Sequence, residues 1–155
     1  MIPPRQRGWV GSQPVPTVVA AVLLLLAGCG TDAGPVYRQS AVSVLEATLG
    51  EGRTAELAGR LWVEHRSTHA LTVVVVGESD TGVGAEADWF DQLQPPGVVG
   101  DRVRERTVEA LDATASAVQD VRISLERSDR PGVRAALDEL HSACDDLESL
   151  AEDLS

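Results

Sequence analysis

Lysine is absent from this 155-residue chain, and all 13 of its basic residues are arginine. Aromatic residues are almost as scarce, with three tryptophans, one tyrosine and one phenylalanine. A core must therefore be built chiefly from Leu, Val and Ala. The only cysteines are Cys29 and Cys144, too few for a disulfide framework. Against 13 arginines stand 24 acidic residues, for a net charge of −11. Nucleic-acid binding needs clustered basic side chains, so no nucleic-acid partner is expected. Anionic lipid headgroups are repelled by the same surface.

The charge is unevenly spread. Arg5 and Arg7 are the only charged residues among the first 31, and they precede an apolar run from Val15 to Leu26 broken by Pro16 and Thr17. That run falls short of the roughly 20 apolar residues a bilayer span requires. A charged start, a short apolar middle and small residues at the exit are the parts of a secretory signal. The exit, Leu26-Ala27-Gly28-Cys29, resembles a bacterial lipobox, the motif cleaved before a cysteine that carries a thioether-linked diacylglyceryl group. The resemblance implies a signal peptide over residues 1–28, a lipidated Cys29 with a tether over 29–35, and a domain over 36–155. It also implies a location on the outer face of a cell membrane, reached through the lipid on Cys29. Two acyl chains suffice for stable anchoring where one does not. With Cys29 lipidated, Cys144 has no partner for an internal disulfide. After residue 28 the chain holds all 24 acids and 11 of the arginines, a net charge of −13.

Helical spacing dominates the rest. Val133, Leu137, Leu140, Cys144, Leu147, Ala151 and Leu154 alternate steps of four and three, one apolar stripe on a helix. Pro131 fits its first turn, after a turn at Asp129-Arg130-Pro131-Gly132. Cys144 lies on the stripe and reads as a small buried hydrophobe. Val103, Thr107, Ala110, Thr114, Ala117, Val121 and Leu125 repeat the pattern over about 98–128, after a break at Leu93-Gln94-Pro95-Pro96-Gly97. Tyr37, Ala41, Val44, Leu45, Thr48 and Leu49 begin another stripe, and Ala55, Ala58, Leu61 and Trp62 continue it. Either one helix runs from about 36 to 66 or two meet near Gly52.

Residues 70–94 are ambiguous. "ALTVVVVGES" is rich in β-branched residues, as a buried strand would be, and with "RLWVEHR" it could form a hairpin across Ser67-Thr68. Leu71, Val75, Ser79, Phe90 and Leu93 fit instead a helix packed on the others. The helix is preferred, because tertiary context overrides β propensity. The expected fold is all-α, an up-down four-helix bundle with connections near 66, 95 and 130; the alternative is α+β, with a β-hairpin at about 60–76. With "RTAEL", "WFDQLQPP" and the closing leucine-striped helix, the chain loosely resembles uncharacterised secreted lipoproteins of high-GC Gram-positive type. That resemblance implies no activity.

Candidate chemistry is sparse. His65 and His69 stand four apart, a spacing that on one helical face can hold a metal. His141, Asp145 and Glu148 make a second set at i, i+4 and i+7. In an up-down bundle His141 lies roughly 15 Å deeper than the turn that carries His65, so one shared site is not expected. Turn and surface histidines are the default reading, and neither a metal nor another cofactor is called for. The acids at Asp145, Asp146, Glu148, Glu152 and Asp153 read as a solvated face, or as a docking face for a basic partner. "GESDTGVG" lacks the order and the lysine of a phosphate-binding loop. No catalytic constellation is visible, so the chain is not expected to be an enzyme. The sequence points to a non-enzymatic envelope interaction module with an envelope protein as partner; the alternative is a metal- or small-ligand-binding lipoprotein, a sensor or uptake accessory.

Overall fold

The structure, a computed structural model, describes residues 33–155. The signal peptide, the motif Leu26-Ala27-Gly28-Cys29 and most of the expected tether lie outside the described residues. Four helices follow in order: α1 (Ala33–Val63), α2 (His69–Asp91), α3 (Gly97–Glu126) and α4 (Arg130–Leu154). They form the all-α, up-down four-helix bundle. Among the described residues there is no strand, so the alternative of a β-hairpin at 60–76 is replaced by the end of α1, a turn and the start of α2.

Local chemistry explains each boundary. Pro35 sits in the first turn of α1, where a missing N–H costs nothing, so the helix begins at Ala33 rather than after the tether. α1 then runs unbroken through Gly50 and Gly52. It closes with His65 in the left-handed region at φ 62°. The Arg66 N–H reaches the Leu61 carbonyl at 2.8 Å and the His65 N–H the Trp62 carbonyl at 3.0 Å, the pairing of a Schellman cap. Ser128 ends α3 in the same way at φ 54°. Thr68, the tip of the hairpin in the alternative reading, caps α2 by accepting from the Leu71 N–H. Asp129 caps α4, accepting from the Gly132 N–H at 3.1 Å, so the expected turn is the helix's own first turn.

α1 and α3 each pack against both α2 and α4 and also meet each other across the middle, whereas the backbones of α2 and α4 do not approach closely. The stripes of α3 and α4 face inward as the spacing predicts, with Thr107, Leu111, Thr114, Val121, Leu125, Val133, Leu140, Cys144 and Leu147 buried. On α2 Ser79 and Phe90 face inward as expected, but the face is turned at the start of the helix, where Leu71 points out. Thr72, Val76, Ser79, Val83 and Phe90 are buried, while Leu71 is 58% exposed. The Thr72 hydroxyl donates to the Thr68 carbonyl at 3.0 Å, which lets this polar residue point inward.

The core has two parts. One gathers Trp62, Val76, Val83, Val121, Leu125, Leu137, Leu140 and Cys144. The other gathers Tyr37, Leu45, Phe90, Leu111, Leu147 and Leu154. Glycines let α1 sit close to α4. A Cβ at Gly52 would lie 2.7 Å from Cys144 Sγ, and one at Gly59 would lie 2.9 Å from Leu137 Cδ2. Among the described residues no helix is long and apolar enough to cross a membrane.

Candidate functional site

The three histidines part company in the structure. His65 and His69 do not share a helical face, because α1 ends at Val63 and the left-handed turn lies between them. The His65 ring lies against the Arg130 guanidinium, Nη2 being 3.1 Å from Nδ1. Arg130 also stacks over Trp62, 4.9 Å from the ring centroid. His69 Nε2 donates to the Leu125 carbonyl at 2.8 Å, and its ring centroid is 5.8 Å from that of Trp62. It ties the start of α2 to the last turn of α3, a structural duty.

His141 and Asp145 join a different cluster, built across α1 and α4. Arg53 is its centre. Its Nη1 donates to Glu56 Oε2 at 3.0 Å, and its Nη2 donates to Asp145 Oδ1 at 2.6 Å and stands 3.7 Å from Glu148 Oε2. His141 Nδ1 is 2.8 Å from Arg53 Nη1 and 3.0 Å from Glu56 Oε1, and its Nε2 is 3.7 Å from Asp145 Oδ2. Arg60 also donates to Glu56, whose side chain is only 6% exposed.

The electrostatics follow. The hydrogen bond from Arg53 holds the Asp145 carboxyl below the usual carboxylate range. Asp145, then Glu56, hold the Arg53 guanidinium above its ordinary value. Burial pushes the neighbouring Cys144 thiol up to about 11, with Arg53 opposing in part. At neutral pH that sulfur is a protonated, buried hydrophobe and not a nucleophile. A guanidinium stands where the carboxylates converge, so the cluster is an ionic tie between two helices. Among the described residues no group of three His, Cys, Asp or Glu side chains could hold a metal ion.

The spacing of His141, Asp145 and Glu148 marks the α4 side of the cluster, and nothing in it marks Arg53 and Glu56 on α1. The i, i+3 spacing in "RTAEL" was the available signal, and only the register of α1 on α4 turns it into a contact.

Two surface features remain. A groove of about 410 Å³ runs between α3 and α4. Ala110, Ala113, Ala143 and Leu150 line it beside Glu109, Asp146 and Asp153, with Arg106 held on Asp153 at 2.9 Å. An open hollow of about 700 Å³ lies where α3 passes the end of α2, with Asp91, Asp101, Glu105, Glu109 and Asp112 around Arg104 and Val108. Arg104 donates to Asp91 Oδ1 at 2.9 Å and to the Leu93 carbonyl at 3.0 Å. No protein-family model matches the chain, and neither a curated protein nor a solved structure matches it, so the functional reading rests on the residues themselves.

Proposed function

We propose that this chain is a lipid-anchored, non-enzymatic interaction module on the outer face of a cell membrane, and that it binds a basic segment of another envelope protein in the α3–α4 groove. The address is supported by Leu26-Ala27-Gly28-Cys29 at the end of a charged-then-apolar leader. The role is carried by the groove, whose alanine lining admits a partner's backbone closely and whose acids Glu109, Asp146 and Asp153 complement a cationic side chain. The histidines and carboxylates with spacings suited to chemistry are engaged with one another, or with arginines and a carbonyl, which supports a binding rather than a catalytic role.

Palmitate labelling of the protein and of Cys29→Ser tests the address; equal labelling overturns it. Crosslinking in intact cells tests the role. The captured partner should be lost in Ala113→Arg, which puts a cation into the groove at an exposed position, and should weaken steeply with added salt. Capture unchanged by Ala113→Arg overturns it. A second reading, a small-ligand-binding lipoprotein, has the acidic hollow around Arg104 in its favour. A thermal-shift screen with divalent metals and small organic cations separates the two: a clear rise in melting temperature favours the second.

A further inference from the structure

We propose that the end of the bundle where α1 and α3 begin seats on the surface of a lipid bilayer. This rests on the anchoring reading above. The three most exposed large hydrophobic residues of the described chain are Val98 at 69%, Val36 at 67% and Val99 at 66%. All three belong to the first turns of α1 and α3, which the up-down topology brings to one end. Beside them a cleft of about 350 Å³ is lined by Pro35, Tyr37, Pro96, Val99 and Val103, with Arg38 at its edge.

Chain length names the occupant. Four residue steps separate Cys29 from Ala33, the first residue of α1. At roughly 3.6 Å per fully extended residue they span about 14 Å at most. Acyl chains on Cys29 lie in hydrocarbon, and a headgroup layer is about 5–8 Å thick. The start of α1 therefore cannot leave the neighbourhood of the bilayer. The other end of the bundle is a helix length away, about 38 Å for the 25 residues of α4. Valines exposed at the tethered end meet lipid, where the same residues at the free end would meet only water. Arg38 and Arg102 are exposed there and take no part in the ion pairs of the described residues, so among the acids Asp91 and Asp101 of that end they are the cations that can reach lipid phosphates. The seating is weak by itself and needs the lipid; its effect is to fix which way up the molecule stands, with the α3–α4 groove running along the membrane normal.

The test uses the full-length protein purified from membranes and reconstituted in phosphatidylcholine vesicles that contain a lipid-borne fluorescence quencher. A single thiol is introduced as Val99→Cys, or as Arg127→Cys at the opposite end, and labelled with an environment-sensitive dye. Cys29 is blocked by its lipid and Cys144 is fully buried, so only the new thiol reacts. The dye at 99 should shift to the blue and be quenched, while the dye at 127 should do neither. Adding Val36→Ser and Val98→Ser should reduce the shift at 99 without releasing the protein from the vesicles. Water-like emission at both positions in palmitate-labelled, vesicle-bound protein overturns the seating. Absence of palmitate overturns the anchoring reading itself, and is seen before any dye is added.

Discussion

Glu56 is the one carboxylate of the described residues sealed from water, and it is held there by Arg53, Arg60 and His141. Deleting one member of a buried ion pair strands the others, at a cost of about 3–5 kcal/mol. Both arginines reach water, at 34% and 52% exposure, which lowers that figure. Glu56→Ala should therefore lower the free energy of unfolding by about 2 kcal/mol in urea titrations. Glu46→Ala, on an exposed stretch of the same helix, should change it by less than about 0.5 kcal/mol. Asp145 gives the cluster a pH dependence. Its carboxyl is depressed in the folded state, so its contribution is present above the ordinary value of 3.8 and is lost as pH falls through the lower folded value. Asp145→Asn should melt below wild type near neutral pH, and the two melting curves should converge in strong acid. A gap that persists in acid would show that the carboxylate's charge is not what matters.

At the scale of the helix, one substitution has two opposite outcomes. Gly50 and Gly52 are neighbours in α1, and alanine is the better helix former at both by about 1 kcal/mol. At Gly50 a Cβ meets nothing within 4 Å, so Gly50→Ala should stabilise by about 0.5–1 kcal/mol. At Gly52 the same methyl meets Cys144 Sγ at 2.7 Å, and overpacking of about 1–3 kcal/mol outweighs the gain. Gly52→Ala should destabilise, and Cys144→Ala beside it should recover part of the loss in a double-mutant cycle. These pairs mark what the sequence makes legible. The stripes of α3 and α4 were readable because polar residues separate their apolar positions, so the inward face has one solution. The face of α2 was not, because Val73–Val76 is apolar in every direction and offers no phase. Arg53 and Glu56 could be seen as a pair within one helix. Their contact with His141, 88 residues away from Arg53, depends on how α1 slides along α4, which Gly52 and Gly59 set by close approach.

The whole molecule carries its charge as a constraint. The described residues 33–155 hold 11 arginines against 23 acids, and that net charge of −12 repels itself within the bundle. Raising ionic strength from about 10 mM to about 150 mM shortens the screening length from about 30 Å to about 8 Å. The melting temperature should rise over that interval, even though exposed pairs such as Arg106–Asp153 weaken; a fall would mean that the ion pairs outweigh the self-repulsion.

The arrangement of contacts has a consequence for how such a body comes apart. α1, α3 and α4 touch one another pairwise, so α2 can swing out and leave an intact three-helix remnant. Polar ties hold both helices, Arg53–Asp145 for α4 and Arg104–Asp91 and Arg122–Asp80 for α2, but α4 buries nine residues whereas α2 buries five, two of them hydroxyl-bearing. Deuterium should enter the amides of α2 as a block before it enters those of α4, and slower uptake in α2 would refute this order. Each such excursion uncovers Val76, Val83 and Phe90 at once. The molecule therefore keeps a concealed greasy seam, on display for a small fraction of the time, behind its most weakly fastened helix.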